Sequence, residues 1–296
     1  MKIAAGVTTC NEENTIGPLM DRILAVPTVT SLTIVSSACR DRTEQIVKRF
    51  AERDQRVQLI SEPVRRGKSA AVNTFLADRP ESDLTLISSG DVLPAEGAIA
   101  DIIRTFENPT VGMAGGRPIP ENELTTLSGR IAHLTWNLHH RMALISPKLG
   151  ELTVFRSHLV TAIPEKSTVD EASLEFIIHS TGHSLAYAPN ALIHNRGPDT
   201  LKELLSRRRS NAYGHQLLAR QNGYRVSTTN NSRAAKLLIE ELVRQPSYLD
   251  AAITLVGVEV LARLLALKDS LTRRDNLAVW DIAASTKKLN ISSSER

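Results

Sequence analysis

Residues 84–94, with the sequence LTLISSGDVLP, decide how the rest of the chain is interpreted, because an apolar run ends there in an acidic residue. Such a run is typical of a strand buried in a parallel sheet. A carboxylate directly after the strand lies at the carboxyl edge of the sheet, where open α/β folds bind ligands. Asp91 is therefore a candidate metal ligand that faces a phosphate group. A turn that begins at Asp91 and leads into Pro94 is the competing interpretation.

Strand and helix patterns alternate along the first 115 residues. Apolar runs predict strands at 3–8, 31–36, 57–61, 84–88 and 111–115, and helical patterns cover 14–24, 42–53, 68–77 and 97–106. Crossovers of this size favour a mostly parallel sheet with helices on both faces. We therefore predict an α/β, doubly wound fold whose first half comprises residues 1–115.

The pattern after Arg117 is looser, and prolines interrupt it. Helices are predicted at 127–144, 172–181 and 200–222, and strands at 151–155 and 184–187. We expect residues 116–225 to complete one domain, 1–225, by building a second pocket over the sheet. Residues 226–296 are expected to form a C-terminal helical extension.

The composition is that of an ordinary globular protein with a slight excess of positive charge. The chain has 36 basic and 32 acidic residues, and 4% of its residues are aromatic. Few side chains can stack on bases, so no nucleic-acid partner is expected. The apolar N-terminal run is too short for a signal peptide, which favours reduced thiols at Cys10 and Cys39 and a cytoplasmic location.

The longest apolar-rich stretch, residues 251–267, contains Glu259 and Arg263. Charges at these positions argue against a membrane span, and their spacing of four favours an ion pair on a helix. We predict an amphipathic helix. Peripheral contact with a membrane and a homodimer through the C-terminal helices are both compatible with it.

Polar clusters follow the first four predicted strands. They are residues 10–13 (CNEE), 36–43 (SSACRDRT), 65–68 (RRGK) and 89–91 (SGD). Any one of them is an ordinary surface loop. Together they are expected to line one edge of the sheet.

The order of these motifs over residues 3–225 resembles the inverting family 2 glycosyltransferases of the GT-A fold. The resemblance implies that residues 7–13 contact the nucleobase and that Lys68 approaches the diphosphate. Ser36 and Ser37 stand where the family often has two aspartates. The donor-binding residues implied in this half of the chain are Thr8, Cys10, Glu12, Ser36, Lys68 and Ser89.

The metal site implied by the resemblance rests on Asp91, the last residue of an Asp-x-Asp motif whose first position is Ser89. A single carboxylate can hold Mn²⁺ or Mg²⁺, because phosphate oxygens and waters complete the shell. His194 stands where some enzymes of this fold have a further metal ligand. A hydrogen-bonded structural histidine is the alternative at that position.

The catalytic base implied by the resemblance lies in residues 169–171 (VDE), with Glu171 favoured and Asp170 next. An inverting transfer needs one base opposite the leaving diphosphate. Taken alone, the same acidic pair is more typical of a helix N-terminus than of a catalytic base. Arg207, Arg208 and Arg209 stand where membrane-associated members carry Gln-x-x-Arg-Trp, and a guanidinium can bind phosphate oxygens.

The expected function is metal-assisted transfer of a sugar, with inversion, from a nucleotide-diphosphate sugar to an acceptor hydroxyl. UDP is the donor nucleotide expected from the resemblance. Two alternatives remain open: a non-catalytic module that binds nucleotide sugars, and a sugar nucleotidyltransferase, whose Gly-rich N-terminal loop is absent from residues 7–13. A lipid phosphate, a saccharide, a protein or a small natural product would each fit as acceptor.

Overall fold

Eight strands form one sheet within residues 1–272, 283–287 and 289, the part of the chain that the computed structural model describes. The strands are β1 (Ile3–Thr9), β2 (Val29–Ser37), β3 (Val57–Glu62), β4 (Leu84–Ser89), β5 (Leu93–Pro94), β6 (Val111–Pro120), β7 (Leu152–Arg156) and β8 (Ser184–Asn195). The helices are α1 (Ile16–Leu24), α2 (Thr43–Ala51), α3 (Lys68–Asp78), α4 (Ala98–Arg104), α5 (Leu127–Ile145), α6 (Asp170–Ser180), α7 (Leu201–Asn222), α8 (Asn231–Arg244) and α9 (Leu249–Leu271).

The strand order is β3-β2-β1-β4-β7-β6-β8-β5. β1 pairs in parallel with both β2 and β4, and β2 pairs in parallel with β3. β7 runs antiparallel to its neighbours β4 and β6, whereas β6 and β8 are parallel. The predicted α/β fold with a mostly parallel sheet is therefore confirmed.

Two hydrophobic clusters cover the two faces of the sheet. On one face, Leu19 and Ile23 of α1 and Ile102 of α4 pack on β1, β2 and β4. On the other face, Phe75 of α3 and Leu174 of α6 pack with apolar residues of β2, β4 and β6. The apolar runs of the central strands are thus buried on both sides, which explains why they are continuous and do not alternate.

The second half of the sheet differs from the prediction in two respects. β8 extends to Asn195, because residues 192–195 resume the pairing with β6 after a register shift. β5 has only two residues and pairs antiparallel with β8, joining Leu93 to His194. A two-residue strand leaves no periodic signal, so only the assembled sheet reveals it.

The C-terminal helices pack on α5 and α7 through a third cluster, which includes Leu134, Leu204, Tyr248 and Leu255. The predicted helix over 251–267 is confirmed as part of α9, and Glu259 lies 4.0 Å from Arg263 as an ion pair. Apolar side chains nevertheless stay exposed along α8 and α9, among them Ile253, Leu264 and Val243. No helix in the described ranges is long and apolar enough to cross a membrane.

Candidate active site

The polar clusters that follow β1, β2, β3 and β4 meet at one cavity of about 1040 Å³. Side chains from the first half line one end of it, and α5, α6, α7 and α9 line the rest. Parallel strands bring their carboxyl ends to a common edge, which is why clusters far apart in sequence come together. The predicted site residues that line this cavity are Thr8, Cys10, Glu12, Lys68, Ser89, Asp91, Asp170, Glu171, Arg207 and Arg208.

Backbone strain is concentrated at the ends of the strands that border the cavity. Asn11, Ala38 and Glu151 have φ angles of 60°, 53° and 65°, in the left-handed region that non-glycine residues rarely adopt. Ala38 has no side-chain hydrogen bond to offset this cost. Residues held in this way are frequent at functional sites, where the surrounding packing fixes them.

Asp91 and Glu12 form the acidic end of the cavity. The Asp91 side chain is 26% exposed, whereas that of Glu12 is 3% exposed. Burial, with the Asp91 charge as the next cause, raises the pKa of Glu12 to about 8. The ammonium of Lys287 contacts Oε1 of Glu12 and lies 3.9 Å from Oδ2 of Asp91.

Carboxylate oxygens of this kind suit Mg²⁺ or Mn²⁺, and Oε2 of Glu12 has no hydrogen-bond partner among the described residues. The described part of the chain has no group of three or more histidine, cysteine or acidic side chains placed to hold a metal. A divalent cation at Asp91 would therefore take most of its ligands from phosphate and water. The residues present therefore fit a divalent cation whose remaining ligands are phosphate oxygens and waters.

Lys68 joins the two candidate bases at the start of α6. Its Nζ lies 2.6 Å from Oε1 of Glu171 and 3.0 Å from Oδ2 of Asp170. Burial opposes ionisation of Glu171, but the Lys68 ammonium outweighs it and lowers the pKa of Glu171. For Asp170, burial and then the Glu171 charge raise the pKa. The two adjacent carboxylates thus share one cation, and their pKa values are shifted in opposite directions.

Arg207 and Arg208 reach the cavity from α7. Arg207 lies 3.5 Å from Glu151, and Arg208 lies 3.1 Å from Glu259. Arg209 does not line the cavity, because successive residues of a helix point about 100° apart. It forms an ion pair of 2.5 Å with Asp269 of α9, so we correct its predicted role from donor contact to helix packing.

One further prediction is corrected by where the side chain lies. Ser36 is fully buried and donates a hydrogen bond of 2.7 Å to Glu44, because alternate residues of a strand face opposite sides. Ser37, the next residue, lines the cavity instead. His194 lies outside the cavity lining, with its Nδ1 2.5 Å from Oε1 of Glu121, but its buried Nε2 has no hydrogen-bond partner among the described residues. Its role as a metal ligand stays a prediction.

The remaining predicted residues of the first half lie where their strands end. Thr8 pairs with Ser89 across β1 and β4, so both reach the cavity at the same level. Cys10 and Cys39 are both free cysteines in the structure. Burial raises the pKa of the Cys10 thiol, so this side chain is a neutral part of the wall.

The structure adds residues that were not among the predicted site residues. His139 and His215 are cavity residues, and burial, with Lys148 as the next cause, lowers the pKa of each to about 3. Lys148 forms an ion pair of 3.1 Å with the buried Glu175. Lys287 comes from the C-terminal segment, which carries no motif. None of these positions has a sequence signal, because only the assembled cavity brings them together.

The fold and the cavity define the class of open α/β enzymes whose ligand site lies at the carboxyl edge of the sheet. Residues 5–166 match the sequence model described as Glycosyl transferase family 2. The chain belongs to glycosyl transferase family 2 and is a glycosyltransferase. The resemblance drawn from the motif order is therefore confirmed. No curated protein sequence matches the chain.

Solved structures share the fold of this chain. A mannosyltransferase from Pyrobaculum calidifontis has a TM-score of 0.59 and 22% identity, over 93% of this chain and 81% of that one. Glucosyl-3-phosphoglycerate synthase from Mycobacterium tuberculosis has a TM-score of 0.53 and 18% identity, over 74% of this chain and 79% of that one. Identities this low establish a common fold only.

Proposed function

We propose that this glycosyltransferase moves a sugar from a nucleotide-diphosphate sugar to an acceptor hydroxyl, with inversion and with the help of a divalent cation. The observation that carries the proposal is the cavity itself. It brings together the candidate metal ligand Asp91, the acidic pair Asp170 and Glu171, and two arginines. An inverting transfer needs these groups: a cation site, a base and counter-charges for the leaving group.

The donor class is supported by what the similar proteins bind. The mannosyltransferase was solved with GDP-Man and Mn²⁺, and the synthase was solved with UDP-glucose, phosphoglyceric acid and Mn²⁺. We propose the same class, a nucleotide-diphosphate sugar, for this chain and keep a UDP-sugar as the expected donor. A panel that contains UDP- and GDP-sugars decides between the two.

We assign the base to Glu171, with Asp170 as its neighbour. The Glu171 side chain is 24% exposed and that of Asp170 is 8% exposed, so Glu171 is the one an acceptor can reach. Its lowered pKa keeps it ionised at neutral pH, the state in which a base accepts a proton. Asp170 holds Lys68, which in turn fixes the Glu171 carboxylate.

Arg207 and Arg208 supply positive charge near the leaving diphosphate. Each is paired with a glutamate in the cavity wall, so its guanidinium is held in position before a ligand arrives. A guanidinium offers a fork of donors to phosphate oxygens. A divalent cation, when bound at Asp91, would neutralise part of the diphosphate charge and so improve the leaving group.

Donor binding tests the proposal. Titration calorimetry with UDP- and GDP-sugars in the presence of Mn²⁺ is expected to detect one donor, and Asp91→Ala is expected to weaken its binding. Asp101→Ala, an acidic residue on α4 outside the cavity lining, is the matched control and should bind as the wild type does. No binding by the wild type across the panel would contradict the proposal. Binding without turnover on any acceptor would favour a non-catalytic module.

The exposed apolar side chains of α8 and α9 support an additional contact surface, which we propose for a membrane surface or a second copy of the chain. Ile253, Val256, Val260, Leu264 and Leu267 recur every three or four residues, so they share one face of α9. Flotation with anionic vesicles tests the membrane, and light scattering after gel filtration tests the dimer. A monomer that binds no vesicle would contradict both.

A further inference from the structure

Glu12 lies against residues 89–91, the motif whose first position lacks a carboxylate. Ser89 occupies the first position of this motif, and only Asp91 remains acidic. A Cβ built on Gly90, between them, would lie 3.0 Å from Cγ of Glu12. The chain after β4 therefore packs directly on the Glu12 side chain, so a carboxylate from the segment after β1 lies next to the motif that has lost one.

The Glu12 carboxylate is buried and only half satisfied. Its side chain is 3% exposed, and Oε2 has no hydrogen-bond partner among the described residues. A buried polar atom without a partner is unfavourable, and it commonly marks an ion or water site. Together with the more exposed Asp91, it forms a pair of oxygen ligands of the kind that Mn²⁺ and Mg²⁺ prefer.

One ammonium already binds both carboxylates. Lys287 contacts Oε1 of Glu12, and its Nζ is 3.9 Å from Oδ2 of Asp91. Its carbonyl oxygen accepts a hydrogen bond of 3.4 Å from the Asn14 side chain. Lys287 therefore lies in a defined position at this end of the cavity.

The segment that carries Lys287, residues 283–287, is attached to the start of α7 by a few polar contacts. The Ser285 hydroxyl donates a hydrogen bond of 2.6 Å to Glu203 and accepts one of 3.0 Å from the Asp199 N–H. Ser285 and Thr286 are themselves buried, so the segment is held in a defined position. Its hydrogen bonds to the start of α7 must break if the segment moves.

We propose that Glu12 and Asp91 form a two-carboxylate cation site, and that the Lys287 ammonium occupies this site until a divalent cation replaces it. The two occupants exclude each other, because two cations at the same pair of carboxylates repel each other. Glu12 thereby takes the place of the carboxylate missing at Ser89. When Lys287 leaves, segment 283–287 moves from the donor end of the cavity. The inference rests on the proposed function only for the choice of cation.

Mn²⁺ binding to the full-length protein tests this competition without nucleotide or sugar. Electron paramagnetic resonance of free Mn²⁺ gives the Kd of the wild type and of Lys287→Met. Removal of an ammonium about 4 Å from a carboxylate should tighten Mn²⁺ binding roughly tenfold. Lys287→Arg keeps the charge and should stay near the wild-type Kd. Lys236→Met, an exposed lysine of α8, is the matched control.

The role of Glu12 is tested in the Lys287→Met protein. Adding Glu12→Gln, which keeps the shape and removes the charge, should weaken Mn²⁺ binding about tenfold. Thermal melts verify that each variant is folded. An unchanged Kd in Lys287→Met, or no further change on adding Glu12→Gln, would overturn the inference.

Amide hydrogen exchange of the wild type gives a readout that needs no variant. Residues 283–287 should exchange faster when Mn²⁺ is saturating, because the ammonium has left its site. Equal protection with and without Mn²⁺ would also overturn the inference. None of these measurements involves a donor sugar. A negative result would therefore overturn the Glu12–Asp91 site and leave the proposed function intact. Conversely, a protein that binds no donor would contradict the proposed function without changing the Mn²⁺ results.

Discussion

Lys68, the first residue of α3, contacts the acidic pair at the start of α6, and its partner Glu171 lies 103 residues further along the chain. Sequence reasoning predicted Lys68 at the diphosphate and the acidic pair as the base, as separate parts. The structure makes them one group. The lysine therefore influences the charge state of the carboxylates that we propose as the base.

Lys68→Met should leave two adjacent carboxylates without their cation. Because Lys68 and Glu171 are partly exposed, we expect a loss of about 1–3 kcal/mol in the free energy of unfolding, less than for a fully buried pair. Sugar transfer should fall more than stability does. Urea denaturation and turnover are the measurements, with Lys202→Met on the exposed side of α7 as control. A variant as stable and active as the wild type would show that the link has no role.

His139 gives a prediction for the pH dependence of stability. Burial and then Lys148 lower its folded-state pKa to about 3, whereas the unfolded chain binds a proton near pH 6.5. The unfolded state thus binds more protons below pH 6.5, and the folded state loses stability as the pH falls. Between pH 7 and pH 5 this histidine is expected to lower the free energy of unfolding by about 2 kcal/mol.

His139→Gln should therefore reduce the loss of unfolding free energy between pH 7 and pH 5 by up to about 2 kcal/mol. Urea midpoints at the two pH values measure it. The same pH dependence in the variant and the wild type would contradict the expected neutral, buried state of this histidine.

Individual residues also show what sequence patterns cannot predict. Asp91 and Glu171 follow recognisable motifs and line the cavity. Ser36 and Arg209 belong to equally clear motifs but point away, because the side-chain direction depends on strand alternation and helix rotation. Lys287 has no motif at all, and only the folded chain brings it to Asp91.

At the scale of elements, α7 depends on one glycine for its contact with the acidic motif. A Cβ on Gly214 would lie 2.2 Å from Oγ1 of Thr168 and 2.9 Å from Val169. The absence of a side chain lets the helix that carries Arg207 and Arg208 approach the residues before Asp170. The arginines and the base are thus held together by close packing.

Gly214→Ala should force α7 away from this contact, at a cost of about 1–3 kcal/mol in unfolding free energy, and should weaken donor binding. Gly257→Ala on α9 is the matched control, because a Cβ there meets nothing within 4 Å. That change should stabilise the protein by about 0.5–1 kcal/mol, since alanine favours helix. Equal effects of the two substitutions on thermal unfolding would refute the packing argument.

The alternation of strands and helices in the first half was predictable because buried parallel strands and their crossover helices have strong periodic patterns. The position of β7, which lies antiparallel between β4 and β6, was not predictable from the sequence. Pairing between Leu84 and Arg156 is long-range, and no local pattern encodes which strands become neighbours.

At the scale of the whole molecule, the C-terminal helices share a hydrophobic cluster with the rest of the chain. Tyr248, Ala251 and Leu255 are buried against Ile131 and Leu204. We propose that residues 226–296 are an extension which completes the fold of 1–225. The cavity depends on it too, since α9 and Lys287 form part of the wall.

A chain that ends at residue 225 should therefore expose the apolar sides of α5 and α7. We expect it to aggregate, or to unfold at a clearly lower temperature than the full chain, because several buried apolar side chains lose their cover. Soluble yield and thermal unfolding are the measurements. A soluble fragment with the Tm of the full chain would mean that 1–225 folds independently.

The central claim is that this cavity transfers sugar with Glu171 as base, and Glu171→Gln tests it most directly. The measurement is release of the nucleotide diphosphate from the donor that calorimetry identifies, with Mn²⁺ and a panel of acceptors, while donor affinity is determined in parallel. The account predicts turnover lowered on the order of 100-fold or more with donor affinity nearly unchanged. Turnover by Glu171→Gln equal to that of the wild type, or a wild type that binds the donor and never releases the nucleotide, would contradict it.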